Sequence, residues 1–450
     1  MKLYKELVTI IKDENRVSIN ETILEQHSKG LAYHTPVKPD IVVFPTTTEE
    51  IRSILALANL HQIPVTPYGA GSSLEGHFIP VNKGIMINLT RMNKIIDIRP
   101  DDFIVKVQPG VTRNQLNQEL KKYGLFFPVD PGADASIGGM ASTNASGTNS
   151  VKYGTMKDQV LGLEVVLANG KIIKTGGMAI KSSAGYNLTS LFVGSEGTLG
   201  VFSEVTLRLK GIQEATVAGR ALFSSIEEAG KAAETMLKSG ISFGKIELVD
   251  DRTIKAVNAY KETNYQEVPT LFIEISGSDQ SVQHDIAVTQ EVAMSEGCTL
   301  FEFENDSLAR AKLWEARHHV AFAILAANPG KGMLSTDVCV PISELPNAII
   351  ETRKITDKFQ VDAAIFGHIG DGNYHAVMSI DEDNVGKIEK INEHIVQYAL
   401  KKGGTCTGEH GVGIGKRKFL SQEHGDAVKV MKTIKASLDP MGILNPGKVF

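Results

Sequence analysis

PYGAGSSLEG, residues Pro67 to Gly76, is the stretch on which the fold turns. Glycines at 69, 71 and 76, with Ser72 and Ser73 between them, make a loop whose amides can cradle phosphate oxygens. It is not the nicotinamide fingerprint, which needs G-x-G-x-x-G opening a helix and an acidic residue about 20 further on. Here the third glycine falls two residues late, and Ile79-Pro80 stands where a helix should run. Upstream, Asp40 to Pro67 reads as strand, helix, strand. Ile41 to Phe44 is a short apolar run, Thr46 to Glu49 is a capping-box pattern, and Ile51, Ile54, Leu55 and Ala58 recur at helical spacing.

Two more regions share this chemistry. DPGADASIGGMASTNASGTNSVKYG, Asp130 to Gly154, is long, small and polar, with little to build a core of its own. Loops of that length in compact domains are functional or disordered. SAGYNLTSLFVGSEGTLGVFSEVTLRL, Ser183 to Leu209, closes on strict alternation at Val201, Ser203, Val205, Leu207 and Leu209, a half-buried strand. Phe103 to Gln108 is a further strand, Thr112 and Gln115 open a helix that ends near Gly124, and Asn169-Gly170 is a hairpin signal. Three Gly/Ser clusters separated by short strands suit one extended ligand carrying a diphosphate.

These three segments resemble the flavin-binding domain of the vanillyl-alcohol-oxidase superfamily, and the second half extends the likeness to its FAD-linked 2-hydroxy-acid dehydrogenases (the D-lactate dehydrogenase and glycolate oxidase catalytic subunit group). The likeness runs from about residue 37 to 450. It implies an α+β fold: a two-part FAD-binding domain, an antiparallel-sheet cap, and a C-terminal segment returning to the flavin. The expected boundaries are 1–36 for an N-terminal helical segment, 37–211 for the FAD domain, 212–405 for the cap and 406–450 for the return. Residues assigned to the flavin by this likeness are Pro67, Tyr68, Gly69, Ala70, Gly71, Ser72, Ser73, Leu74, Pro131, Ser136, Gly138, Gly139, Met140, Asn144, Gly147, Tyr153, Gly154, Glu196, Gly200, Val201 and Asn445. FAD is expected to be non-covalent; His77, the histidine beside the first loop, is the one candidate for an exception.

Farther along, FGHIGDGNYH (Phe366 to His375) and GGTCTGEHGVG (Gly403 to Gly413) gather His368, Asp371, His375, Glu409 and His410 in a Gly-rich frame. His368 and His375 flank a Gly-rich turn from which two imidazoles can converge. Glu409 would add a carboxylate, and two His with one carboxylate suit a divalent metal with open positions. The expected ion is zinc, with manganese or iron as alternatives, and in the family these positions hold the metal. Asp371 is a candidate for orienting a ligand. His410, beside Glu409, is the candidate general base, and Asn373 a candidate partner for substrate or flavin.

Arg317, in LWEARHHVAF on a predicted helix, matches the family's carboxylate-binding arginine; His318 and His319 beside it read as structural or surface residues. Family members acting on hydroxy diacids carry a lysine where this chain has Ser335, and Lys331 sits in a Gly-flanked loop. The expected substrate is therefore a small 2-hydroxy monocarboxylate, D-lactate first, with glycolate or D-2-hydroxyglutarate as alternatives.

Composition narrows the partners. The chain has 450 residues, 42% apolar and 22% charged, which is a normal globular balance sufficient for two or three domains. A net charge of -5 gives no reason to expect nucleic acid or an acidic membrane. The cysteines, Cys298, Cys339 and Cys406, form no CxxC and point to a reducing, cytoplasmic setting. The longest apolar run, Val320 to Ala327, is far short of the ~20 residues a membrane span needs. No haem, iron–sulfur or nicotinamide motif appears, so the electron acceptor is expected to be external: a quinone, a cytochrome, an electron-transfer flavoprotein or an iron–sulfur subunit. Homodimerisation is left open. The rival readings are a metallohydrolase built on His368, His375 and Glu409, which leaves the Gly-rich loops unexplained, and a non-catalytic flavin subunit, which would not keep the C-terminal cluster.

Overall fold

A computed structural model describes residues 2–30 and 32–450, apart from the side chains of Ala316, His318 and Ala321. The chain divides into two compact units. The first comprises Met1–Ser146, Gly154–Ile212 and Glu409–Phe450; the second comprises Gly147–Tyr153 and Gln213–Gly408. Nothing in the composition of Gly147–Tyr153 marks it as belonging with the second.

In the first unit, Ile41–Val43 and Val65–Tyr68 lie parallel on either side of Ile85–Asn88, and Val17–Ser18 pairs antiparallel with Ile41–Val43. The helix Thr48–His61 forms with the predicted apolar face, but its cap lies one residue later than the Thr46–Glu49 pattern places it. Thr47 caps it by accepting from the Glu50 amide at 3.2 Å, and Ile51, Ile54, Leu55 and Ala58 are fully buried. Arg16 clamps Glu50 with two bonds of 2.8 Å, tying the N-terminal segment to this helix. The C-terminal segment adds to the outer edge of the sheet. Val65 N donates to Ile443 O at 2.8 Å, and Asn445 N donates to Val65 O at 2.7 Å.

A second, antiparallel sheet runs Ile95–Arg99, Ile104–Val107, Val201–Arg208, Val160–Val166, Ile172–Gly176. The last two strands form the hairpin expected around Asn169-Gly170. Val201–Arg208 is not the half-buried strand its alternation suggests. Only Glu204 and Arg208 reach solvent in part, because the strand is central and Ser203 is drawn in to bond Glu164. The polar region from Asp130 is likewise ordered. It contains the helix Ile137–Thr143, whose Ile137, Met140 and Ala141 sit in the core with Phe127, Phe192 and Phe202.

The second unit is an antiparallel sheet in the order Leu300–Glu304, Ala215–Leu222, Thr270–Gly277, Phe243–Val249, Ala364–Gly367, Asn373–Ile380, Gly332–Ser335, with Val338–Cys339 pairing the start of Asn373–Ile380. Ser225 caps the helix Ile226–Lys238, as its spacing to Glu228 predicts. Asp250 caps Asp251–Lys261 and is ion-paired with Arg353 of the helix Leu345–Lys358, a buried charge satisfied from both sides.

Candidate functional site

Part of the flavin-assigned set lies together beyond the strand Val65–Tyr68, where Gly69 approaches Ser136 and Gly139. A Cβ on Gly69 would lie 2.4 Å from Ser136 Oγ, so a larger residue there would have to displace that hydroxyl where the Pro67–Leu74 loop meets the segment beginning at Ser136. Ser136 sits at the N-cap of Ile137–Thr143, yet its hydroxyl bonds none of the helix amides. It is buried without a hydrogen-bond partner, as are the hydroxyls of Ser73 and Ser195. Orphaned buried hydroxyls are costly unless a ligand completes them. Three of them on these loops fit a polar cofactor such as FAD.

Other assigned residues are spent on the protein itself. The Met140 and Val201 side chains fill core positions. Gly138 packs on Pro109, and Gly200 packs on Val165. Asn144, in the left-handed region at φ 51°, accepts from Thr155 Oγ1 and Lys157 N. Gly147 and Tyr153 fall in the second unit, and Gly154 returns to the first.

The returning segment closes on the first unit through Glu196. This buried carboxylate accepts from Val412 N at 2.6 Å and Gly413 N at 2.8 Å, and lies 3.4 Å from His77 Nε2. Burial alone would raise its pKa; His77 and the two amides overcome this and hold it below the usual carboxylate value. Asn445 Nδ2 donates to Glu196 O at 2.7 Å and to His77 O at 3.0 Å. His77 is thus buried in this network. Gly411 has φ +81°, and a Cβ there would press on His77 and Glu196, so the approach requires glycine. Within the same unit, Glu409 accepts from Ser146 Oγ at 2.8 Å, and His410 beside it is half-buried.

In the second unit the sequence HIGDGNYH folds as a strand end, one 3₁₀ turn over Ile369–Asp371, and a strand start. Gly372 takes φ +80°, and a Cβ there would meet Val340 O at 2.1 Å. This tight reversal pairs Phe366 with His375 and brings the His368 and His375 rings to 5.8 Å, nearly perpendicular. Both rings are buried and held through Nδ1. His368 Nδ1 donates to Glu247 Oε1 at 2.6 Å, and His375 Nδ1 donates to Thr336 O at 3.0 Å. Carboxylate and carbonyl only accept, so each ring donates from Nδ1, as in the neutral tautomer that would present Nε2 to a metal.

Arg317 is buried on the helix Ser307–His318, as the sequence predicts for the helix, and stacks over Phe366 at 4.6 Å. Its Nε and Nη2 donate to Glu247 Oε2 at 2.9 and 2.7 Å. Burial pushes the Glu247 carboxyl up, but His368 and Arg317 more than offset this, so it is held ionised. Asn373 Nδ2 donates to Asp337 Oδ1 and Val338 O, both at 2.9 Å, while its buried Oδ1 has no partner. Thr407 Oγ1 donates to Asp337 Oδ2 at 2.6 Å. Cys339 gives its thiol hydrogen to Asp371 O; burial, with Asp337 and Asp371 nearby, pushes its pKa up to about 12, so it stays a thiol.

His319 is half-exposed and bonds Glu315, while the His318 side chain lies outside the described residues. Ser335 is half-buried on its strand, and Lys331 is paired with Asp381 at 2.8 Å. Glu247 and Asp337, which organise this cluster, are absent from the sequence expectations. Their signal was a lone acid inside an otherwise apolar strand or strand flank, in KIELV and in DVCV. Among the described residues no helix is long and apolar enough to cross a membrane.

Comparison with known proteins assigns the two halves of the sequence to two family models. Residues 39–176 match the family model described as an FAD binding domain, and residues 212–449 match that of the C-terminal domain of FAD linked oxidases. The chain is 43% identical to a probable mitochondrial D-lactate dehydrogenase of Danio rerio over 446 residues, covering 98% of this chain and 90% of that one. It is 40% identical to the mitochondrial D-lactate dehydrogenase [cytochrome] of Arabidopsis thaliana, covering all of this chain and 80% of that one. In fold it is similar to a 4-ethylphenol oxidase from Gulosibacter chungangensis, with TM-score 0.81 at 18% identity, covering 100% and 96% of the two chains.

Proposed function

This chain belongs to the FAD-linked 2-hydroxy-acid dehydrogenases of the vanillyl-alcohol-oxidase superfamily, and from that membership we propose that it oxidises a small 2-hydroxy monocarboxylate, D-lactate before glycolate, with a divalent metal assisting. The observation that carries the metal reading is the pair of buried imidazoles locked through Nδ1. His368 and His375, with Glu409, would hold the ion. When bound, FAD supplies the acceptor for the C2 hydride, and the ion supplies Lewis acidity toward the hydroxyl.

The residues of the chain do the rest. Arg317 takes the substrate carboxylate. His410 removes the hydroxyl proton, a contribution of about 10²–10⁴-fold for a positioned base. Asn373 Oδ1, buried and without a partner, accepts a hydrogen bond from the substrate. The monocarboxylate preference rests on Ser335 and on Lys331 being held by Asp381. Electrons leave to an external acceptor, and the name of the Arabidopsis relative favours a cytochrome.

The test is anaerobic bleaching of the flavin by D-lactate, L-lactate, glycolate and D-2-hydroxyglutarate, followed by steady-state rates. D-lactate is expected to bleach fastest and to have the highest kcat/KM. A diacid that exceeds D-lactate in kcat/KM overturns the substrate assignment.

A further inference from the structure

We propose that Glu247 is a positioning residue shared by two functions: it sets the metal-binding tautomer of His368 and anchors the substrate-binding Arg317. The inference rests on the roles given above to His368 and Arg317. Glu247 lies on the strand Phe243–Val249 and is fully buried. Three N–H groups converge on it: His368 Nδ1 on Oε1, and Arg317 Nε and Nη2 on Oε2. Each carboxylate oxygen is committed to a different partner. A group on which a metal ligand depends in this way is worth about 10–100-fold in metal affinity.

The chemistry of an amide makes the role separable from mere packing. Glu247→Gln keeps the shape but offers one acceptor oxygen and one NH₂ donor. One partner must then face a donor. Arginine cannot respond, because its guanidinium only donates. Imidazole can: His368 moves its proton to Nε2 and accepts at Nδ1. Arg317 stays anchored, and the Nε2 lone pair that would bind metal is lost. Removing the carboxylate altogether, as in Glu247→Ala, frees both partners.

The experiment uses the flavin-loaded protein. Zinc alone is titrated against a chromophoric chelator, and propionate, a monocarboxylate with no 2-oxygen, is titrated on metal-free protein through the flavin absorption band. Glu247→Gln is expected to weaken zinc about 10–100-fold while leaving the propionate constant within about threefold of wild type, since the guanidinium keeps a bond to the amide oxygen. Glu247→Ala is expected to weaken both. A purely structural Glu247 would lower the melting temperature of Glu247→Gln and leave both constants unchanged, and that result overturns the proposal. Parallel loss of zinc and propionate in Glu247→Gln also overturns it. If wild type itself takes up no zinc, the metal assignment of the preceding subsection fails, and this one with it.

Discussion

Replacing Glu196 by glutamine should loosen the closure of the C-terminal segment. The wild-type carboxylate uses both oxygens, one on Val412 N and one on Gly413 N, in a fully enclosed position. An amide has one acceptor oxygen, so one backbone N–H is left facing NH₂. A buried donor left unpaired costs about 1–3 kcal/mol, and the surviving bond, no longer charge-assisted, is weaker by roughly 1 kcal/mol. The expected loss is thus about 2–4 kcal/mol. For a unit of this size each kcal/mol shifts Tm by about 2–4 °C, so the midpoint should fall by roughly 5–15 °C. The assay is thermal release of flavin fluorescence from the loaded protein at pH 7.

The same substitution carries a pH signature. The folded carboxyl has a pKa below its ordinary value of 4.5, so its stabilisation is fully present above that value and is lost as pH falls through the folded pKa. The gap between wild type and Glu196→Gln should therefore be constant near neutrality and shrink in acid. A variant that melts within about 1 °C of wild type at pH 7 refutes the reasoning, because about 2 kcal/mol cannot hide in so small a shift.

Three further outcomes are expected. His410→Ala should lower kcat by about 10²–10⁴-fold while leaving the flavin spectrum intact; undiminished turnover removes His410 as the base. Ser335→Lys should raise kcat/KM for D-2-hydroxyglutarate relative to D-lactate by about 10–100-fold, the worth of one charge-assisted bond of roughly 1.5–3 kcal/mol, and an unchanged ratio refutes the placement of the second carboxylate. Lys448 is buried and donates to Ile79 O at 2.7 Å; burial pulls its pKa down to about 8, partly opposed by Glu196. Between about pH 8 and its ordinary 10.5 the unfolded chain binds the extra proton, so stability should rise with pH across that window. Lys448→Met should flatten that rise in chemical denaturation measured at several pH values, and an equally steep rise in the variant refutes it.

What was legible in the chain follows from how each signal is carried. Caps and helix faces are local, so the Thr46–Glu49 pattern, one residue ahead of the true cap at Thr47, and the Thr112–Gln115 pair each announced a helix that the fold contains. The turn at Gly372 was legible too, since glycine at a reversal states a backbone requirement within a few residues. The half-buried strand at Val201 failed because alternation reports which residues are apolar, whereas burial of the intervening Phe202 and Thr206 depends on neighbours brought in from 104–107 and 160–166.

Glu247 failed for the same reason in sharper form. Its partners lie 70 and 121 residues away, and a single glutamate in KIELV has the same local appearance whether it faces water or a buried arginine and imidazole. Burial inverts its meaning: in water it would be one of many surface acids worth almost nothing, while enclosed between Arg317 and His368 it cannot lose the arginine without leaving a buried charge unpaired, nor the imidazole without losing a hydrogen bond. A lone acid in an apolar strand is therefore the pattern to test first in such a chain, because the cost of burying it is tolerable only where N–H donors, a charged one among them, wait to receive it.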